Sequence, residues 1–337
     1  MSESKQPEGA AETPQGKELQ PPTGIVVGVD GSDHGNCALI WAAREAQRRK
    51  RPLHLVTAYS VPIFAASGLD GGFATIDDSV IRQGAEIVLE QAVNSLAEYD
   101  LELDARVEAG DASGVLLEMS ETAELLVFGS RGRGGFVGRL LGSVSSGLPG
   151  HSKCPTVTVP LKCAARLGAA EKPEGTKLVE STVIVGVDGS ERARYTVLVA
   201  AEEAERQGLA LRVVCAVPPY SGAMTWLPAP LDRQGMLEDV KVQLAAGSAW
   251  LQSHFPKLKI TADVLDGPPI EILIGASEVS ELLVLGTRGH GGFAGMLLGS
   301  TTDAVLHHAK GPVMVVPEHD DPRLADRANF GPMLKEI

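Results

Sequence analysis

The chain repeats one strand-and-loop pattern at a nearly constant distance. The segment 24–32 reads GIVVGVDGS, and the segment 183–190 reads VIVGVDGS. A glycine-rich segment follows each of them, GSRGRGGFVGRLLGS at 129–143 and GTRGHGGFAGMLLGS at 286–300. The offset between the copies is 158 residues for the first pattern and 157 residues for the second. A constant offset over the length of a domain indicates a tandem duplication, so we expect both copies to adopt one fold.

Each copy alternates continuous apolar runs with longer stretches of helical period. The runs at 25–27 and 313–316 contain only aliphatic residues and methionine, which is typical of strands buried on both faces of a parallel sheet. Right-handed crossovers between such strands give doubly wound α/β domains with helices on both faces. The predicted strands lie at 24–30, 53–60, 104–109, 125–129 and 156–160, and at 182–188, 211–217, 260–265, 282–286 and 312–317. The predicted helices lie at 32–50, 75–98, 112–122 and 143–151, and at 190–207, 232–254, 268–278 and 300–309.

The length of 337 residues suits two domains, each with its own core. The repeats place these domains at 23–161 and 181–317. Residues 1–22 are polar and rich in Pro, Glu and Gln, and we expect a disordered leader there. Residues 162–180 have the composition of a linker, and residues 318–337 are predicted to be a mostly extended or disordered C-terminal tail.

Composition restricts the classes of partner. The formal net charge is −13 and the sequence pI is about 5.1, which argues against nucleic acid and anionic membranes as general partners. No run reaches the roughly 18 apolar residues of a membrane span, and the leader has no apolar segment of a secretory signal. The four cysteines form no CxxC pair, which favours structural thiols in a reducing compartment. We therefore expect a cytoplasmic protein.

The glycine-rich segments have the features of a phosphate cradle. Each follows the predicted fourth strand and ends in a Gly-Ser pair at the start of a helix, where backbone N–H groups bind anions well. The first strand ends at Asp30 or Asp188, so both loops meet at one crevice if strands 1 and 4 are neighbours. A P-loop would need GxxxxGK[ST], and a dinucleotide fingerprint would follow the first strand, so neither motif fits. The alternative that the glycines only form a tight turn stays open.

These motifs resemble those of tandem universal stress proteins of the ATP-binding type. The resemblance rests on the strand ending in VDGS, the Gly-x2-Gly-x9-Gly-Ser spacing, and the closing segments CPTVTV at 154–159 and GPVMVV at 311–316. It covers both repeats. It implies five-stranded parallel sheets of order 3-2-1-4-5 and ATP as ligand, held with Mg²⁺ in some members. It also implies pairing through the last strand, either in a homodimer or between tandem domains.

The resemblance also implies which residues contact the nucleotide. The positions expected at the ribose and adenine are Gly28, Asp30, Ala58, Gly186, Asp188 and Ala216, although Ala58 and Ala216 fit a plain core role equally well. The positions expected at the phosphates are Gly129, Arg131, Gly132, Gly142, Ser143, Val144, Ser145, Gly286, Arg288, Gly289, Gly299, Ser300, Thr301 and Thr302. Gly147 and Pro149 disfavour a helix interior, so we expect the helix after the first loop to be short or broken.

Three functions remain open at this point. The first is a stress-response regulator that uses ATP occupancy as a signal to an unknown protein partner. The second is a slow ATPase or phosphotransfer enzyme, although no base-and-nucleophile pair recurs next to the two loops. The third is a dimeric interaction protein with vestigial nucleotide sites. The segments that follow strand 2, 61–72 and 226–230, are candidates for lids over the nucleotide or for plain loops.

Overall fold

A computed structural model describes residues 23–61, 77–133, 141–168, 180–218, 232–289 and 297–332. The strands are β1 (Ile25–Gly28), β2 (Leu53–Tyr59), β3 (Leu103–Ala109), β4 (Leu125–Gly129), β5 (Thr156–Val159), β6 (Glu180–Val187), β7 (Ala210–Val217), β8 (Ile260–Asp266), β9 (Ser280–Gly286) and β10 (Val313–Val316). The helices are α1 (Asp33–Arg49), α2 (Asp78–Ser95), α3 (Ala112–Met119), α4 (Ser143–His151), α5 (Glu191–Gln207), α6 (Arg233–His254), α7 (Pro269–Val279) and α8 (Ser300–His308). The predicted bounds agree with these to within three residues.

The described strands form one sheet in the order β3-β2-β1-β4-β5-β10-β9-β6-β7-β8. Each half of this order is the expected 3-2-1-4-5 arrangement, with parallel pairing inside each repeat. The halves join where β5 and β10 pair antiparallel, with Val157 opposite Met314. The expected pairing through the last strands is thus confirmed between the tandem domains. Among the described strands, this leaves β3 and β8 at the edges.

The cores on the two faces of the sheet are organised differently. On the face covered by α1, α2, α5 and α6, the buried residues of both domains form one continuous cluster. On the opposite face, α3 and α4 cover one cluster and α7 and α8 cover another. The helices therefore lie on both faces, as a doubly wound fold requires. The shared cluster and the β5–β10 pairing together connect the two domains.

The expected shortening of the helix after the first glycine loop is wrong. Helix α4 has nine residues, the same length as α8. Pro149 lies in the last turn, where it removes one backbone hydrogen bond, and its ring is buried. Leu148 beside it is 2% exposed. Burial of this apolar turn offsets the unfavourable helix propensity of Gly147 and Pro149.

The segments that border the second domain are more ordered than their composition predicts. Residues 161–163 of the linker region form a 3-10 turn, and Cys163 is fully buried against the first domain. The prediction of an extended or disordered tail is wrong for Pro322–Phe330, which forms a 3-10 helix packed on α6. Trp250 anchors this segment, because its indole N–H donates to Asp326 Oδ1 at 2.7 Å. The leader 1–22 and the greater part of the linker lie outside the described residues.

Buried charges connect α1 of the first domain to α5 of the second. Arg49 donates to Glu45 at 2.7 Å on its own helix and to Glu203 across the domain boundary. Burial raises the pKa of Glu203, although Arg49 opposes the shift. Burial acts in the same direction on Glu45, but Arg49 and Arg48 outweigh it and lower the pKa of that carboxyl. One guanidinium therefore stabilises two buried carboxylates.

Replacing this shared cation should destabilise the protein in a pH-dependent way. We expect Arg49→Met to lower the free energy of unfolding by about 3–5 kcal/mol at pH 7.5, because two buried carboxylates lose a counter-ion. The deficit should shrink at pH 5, because the lowered pKa of Glu45 rises in the variant and protonation then relieves the buried charge. Urea unfolding at both pH values measures this. The control Arg82→Met removes an exposed pair with Glu86 and should change stability by less than about 1 kcal/mol. A deficit that is independent of pH would contradict the argument.

Candidate functional site

The carboxyl ends of β1 and β4 meet, because these strands are neighbours. Asp30 follows β1 and is half-buried there. Its Oδ1 accepts hydrogen bonds from the Ser32 N–H at 3.0 Å and the Ser32 hydroxyl at 2.7 Å. Its Oδ2 accepts from the backbone N–H of Arg133, at 2.8 Å, in the glycine-rich loop. The carboxylate therefore ties the loop after strand 1 to the loop after strand 4.

The second repeat builds the same junction. Asp188 Oδ1 accepts from the Ser190 N–H at 2.9 Å. Gly289 lies so close to Asp188 Oδ2 that a Cβ added to the glycine would overlap this oxygen. His290, the counterpart of Arg133, lies outside the described residues. The two Asp residues singled out by the sequence thus occupy equivalent positions.

Several glycines of the motif are needed for close packing of backbone against backbone or carboxylate. A Cβ on Gly132 would lie 2.6 Å from Asp30 Oδ2, and a Cβ on Gly129 would lie 2.6 Å from the backbone carbonyl of His34 in α1. Gly31 and Gly189 have φ values of +72° and +85°, which L-residues rarely adopt. Close packing therefore accounts for Gly129 and Gly132 of the loop, and a left-handed backbone accounts for Gly31 and Gly189 of the VDGS segments. Neither feature accounts for the helix start that follows.

Helices α4 and α8 begin without a side-chain cap. The N-cap residues are Gly142 and Gly299, and neither offers an acceptor to the first N–H groups of its helix. By contrast, α1, α3 and α5 are capped by Ser32, Asp111 and Ser190, whereas α7, which begins after Pro268, also has no side-chain cap. Uncapped N–H groups and the positive end of the helix dipole favour an anion at this place.

The hydroxyl groups after each Gly-Ser pair divide into two roles. Ser143 and Ser300, at the first helical position, are exposed at the mouth of the crevice. Ser145 is buried, and its hydroxyl donates to the Ser130 carbonyl at 2.7 Å while accepting from the Gly142 N–H at 3.0 Å. Thr302 is likewise buried and donates to the Gly286 carbonyl at 2.8 Å. Ser145 and Thr302 therefore position the loop, and the exposed hydroxyls of Ser143 and Ser300 are open to solvent.

The remaining predicted positions lie at the same edge of the sheet, with different surroundings. A Cβ on Gly28 would lie 3.1 Å from a Leu116 methyl group, and one on Gly186 would lie 2.8 Å from a Leu273 methyl group. These two glycines thus let α3 and α7 pack closely on the sheet. Ala58 and Ala216, near the ends of β2 and β7, are half-buried. Val144 and Thr301 are half-buried at the second position of their helices.

The charges beside the first loop include a residue that the sequence comparison does not single out. Arg131 and Arg288 lie between the first two glycines of each motif and are half-buried. His34, at the start of α1, has its pKa lowered by burial and by the charge of Arg131. Its counterpart in the second repeat is Arg192, so comparing the repeats gave no signal for His34. Likewise the Arg133 N–H donor could not be read from the sequence, because it is a backbone group.

The contact between Gly132 and Asp30 can be tested by substituting the glycine with alanine, which adds one methyl group. We expect Gly132→Ala to push the carboxylate away and break the Arg133 N–H bond, at a cost of about 1–3 kcal/mol. The matched control is Gly147→Ala in α4, where an added Cβ meets no atom within 4 Å and the helix should gain about 1 kcal/mol. Urea unfolding compares both variants with the natural chain. Equal stability of the two variants would contradict the described packing.

Comparisons with known proteins agree with the fold and the repeats. The model of the universal stress protein family matches residues 23–160 and 181–317. Two universal stress proteins of Mycobacterium tuberculosis are 36% and 31% identical over 313 and 297 residues. These matches cover 88% and 87% of this chain and 96% of each relative. A universal stress protein structure from Archaeoglobus fulgidus superposes with a TM-score of 0.59 at 19% identity, covering 88% of this chain and 97% of that one, and it supports the fold alone.

Proposed function

Since the chain belongs to the universal stress protein family, with one such domain in each repeat, we propose that it is an ATP-binding stress-response regulator with one nucleotide crevice per domain. The observation that carries the proposal is the arrangement at the ends of β1 and β4, and of β6 and β9. In each, an aspartate, glycine backbone, an arginine and an uncapped helix start lie together. Such switch points of doubly wound sheets are where ligands bind.

Each part of the crevice suits one part of ATP. The uncapped N–H groups of α4 and α8, with Ser143 and Ser300, would receive the phosphates. A carboxylate offers about four acceptor positions, and three protein donors occupy three of those of Asp30. One acceptor position therefore remains for a ribose hydroxyl. Ala58 and Ala216 would border the adenine, where their small side chains leave room for a flat ring.

Mg²⁺ fits this crevice as a companion of the phosphates. Within the described residues, no three His, Cys, Asp or Glu side chains are grouped as metal ligands. Mg²⁺ in nucleotide sites commonly takes phosphate oxygens and water with only one or two protein ligands. We therefore propose that any Mg²⁺ enters with ATP and supplies charge neutralisation there. The residues of the chain would bind and orient the nucleotide.

A structural route connects the two crevices. Helix α8 begins at Ser300 in the second crevice, and its Val305 and Leu306 share a buried cluster with Leu141, the residue before Gly142 of the first. The reverse contact also exists, because a Cβ on Gly150 at the end of α4 would lie 3.2 Å from Leu297 Cβ. Occupancy of one crevice would thus shift a helix that packs against the other loop. This coupling is how we propose that occupancy becomes a signal.

The state of the cysteines bears on the cellular compartment of the protein. The four cysteines are free and buried. Burial raises the pKa of Cys154 to about 11 and that of Cys163 to about 12, which makes these thiols poor nucleophiles. We propose a reducing cytoplasmic location. Across the described part of the chain, none of the helices has the length and apolar character needed to cross a membrane.

Titration calorimetry with MgATP tests the nucleotide sites. We expect two equivalents per chain for the natural protein and one equivalent for Gly132→Val or Gly289→Val, because valine displaces the aspartate in one crevice only. The double variant should bind none, and Gly147→Ala should keep both equivalents. Absence of heat from the natural, nucleotide-free chain would refute the proposal and favour vestigial sites. Saturable release of phosphate would instead favour the ATPase alternative.

The coupling has its own test. We expect Leu141→Ala, which removes a side chain 6% exposed, to lower stability by about 2–5 kcal/mol and to make the two ATP equivalents bind independently. The matched control is Leu116→Ala, because Leu116 is 4% exposed and packs within the first domain alone. It should lower stability similarly and leave the coupling between the two equivalents intact. Independent binding in the natural chain would contradict the proposed route.

The homodimer expected from the resemblance needs a different surface. The last strands, which the resemblance implies for dimerisation, already pair with each other inside this chain. A second copy would have to use an edge strand or a helix face. Sedimentation equilibrium at several concentrations, with and without ATP, would establish whether such a dimer forms.

A further inference from the structure

A cavity lies beneath α5 and α6 of the second domain, next to the second crevice. It has a volume of about 100 Å³, is partly open to solvent, and is bounded by the sheet face of the second domain, α5, α6 and the C-terminal 3-10 helix. None of the residues expected at the nucleotide lines it. Its walls are mainly apolar and include Val197, Val213, Leu244, Trp250 and Leu251. The lining also includes Val187, Gly189 and Ser190 on either side of Asp188, so the cavity borders the second crevice while its body lies between α5, α6 and the sheet.

Two arginines, Arg194 and Arg327, line this mainly apolar cavity, and Arg327 is the buried one. Arg327, from the C-terminal 3-10 helix, lines it and is only 7% exposed. Its guanidinium donates only to backbone carbonyls, at 3.4 Å to Gln243 and 3.5 Å to Gly331 and Pro332. Among the described residues, no carboxylate forms an ion pair with it. A buried cation with only long hydrogen bonds is costly, so the site favours an anion.

A second cation near Arg327 makes an anion in the cavity more favourable. Burial lowers the pKa of Arg327, and the nearby cation Arg194 adds to the effect. Arg194 itself pairs with Glu191 at 3.0 Å, and that carboxylate is exposed on α5. An anion in the cavity would therefore interact with two guanidinium groups. Carboxylate suits a guanidinium well, because two N–H groups can donate to its two oxygens.

Within the described residues, the side chain of Gln243 brings a buried oxygen without a hydrogen bond to this cavity. Gln243 lines the cavity, and its Oε1 is buried without a hydrogen bond in the described chain. Leaving such an acceptor unsatisfied costs free energy that a ligand with a hydroxyl group would recover. The polar end of the cavity therefore favours a ligand that carries both an anionic group and a hydrogen-bond donor. The apolar walls favour an aliphatic chain on the same ligand.

We propose that this cavity binds a small aliphatic carboxylate, with a 2-hydroxy acid preferred over the plain acid. A cavity of about 150 Å³ accommodates benzene, so the smaller space here suits a chain of about four or five carbons. The proposal does not rest on the nucleotide function, because Arg327 and Gln243, which carry it, are not among the residues expected at the nucleotide, although the two sites adjoin at Gly189 and Ser190. The chain would then respond to a small metabolite acid as well as to nucleotide.

Titration of the full chain with a series of acids tests the proposal. We expect 2-hydroxypentanoate and pentanoate to bind, acetate and decanoate to bind at least tenfold more weakly, and pentanamide not to bind measurably. Intrinsic fluorescence reports the event, because Trp250 lines the cavity. No binding by any of the acids, or equal binding of acetate and pentanoate, would overturn the proposal. Equal binding of pentanoate and 2-hydroxypentanoate would overturn the role given to Gln243.

Two variants separate binding from folding. Arg327→Met should reduce carboxylate affinity at least tenfold, and Gly247→Leu should abolish binding by filling the cavity, since a Cβ at Gly247 lies 3.7 Å from the Arg327 guanidinium. The matched control is Gly275→Leu in α7, where an added Cβ meets open space and binding should persist. Unchanged affinity in both cavity variants would refute the site.

A truncated chain distinguishes a free ligand from an internal one. Removal of residues 333–337 should leave pentanoate affinity within twofold of the natural chain. If pentanoate binds only after this truncation, the natural occupant is the C-terminus of the chain, and the proposal is wrong. MgATP titration of Gly247→Leu should still give two equivalents, so failure here and failure of the nucleotide proposal are distinguishable.

Discussion

The antiparallel pairing of β5 with β10 is the constraint on which the rest of the molecule depends. It buries the strands that would otherwise be edges, and every residue of both is buried. Open strand edges invite association with other chains, so the junction removes one such surface from each domain. Because the two halves run in opposite directions, the carboxyl ends of their strands point to opposite edges of the sheet. The two crevices therefore open at opposite edges of the sheet, on either side of the junction.

The helices α4 and α8 acquire a double role from this geometry. Each begins in the crevice of its own domain and ends against the glycine loop of the other. A helix is a stiff element, so a displacement at its first turn is transmitted to its last. In a single-domain chain the last turn of such a helix would meet a second loop only if two copies paired through their last strands. The duplication thus provides a physical connection between two sites that the motif alone does not supply.

The sequence predicted the elements well because burial and local signals agree in them. The strands are continuous apolar runs, and capping residues such as Ser32 and Ser190 mark the helix starts. The strand order came from the resemblance, because periodicity does not determine which strands are neighbours. Helix α4 was judged from the propensities of Gly147 and Pro149, and tertiary burial outweighed them. The tail was missed because a 3-10 helix has little periodicity and this one depends on contact with Trp250.

The candidate site was predictable in its residue types and less so in their roles. The glycine spacing predicted a loop between strand 4 and the next helix, but it could not reveal that Gly129 and Gly132 are also required by the backbone of His34 and by Asp30. Nor could it reveal that Ser145 and Thr302 hold the loop through buried hydroxyl groups. These internal bonds form the crevice before any ligand arrives. A preformed site binds with less loss of conformational entropy, so the contacts that hold the loop in place would also favour the nucleotide binding proposed for it.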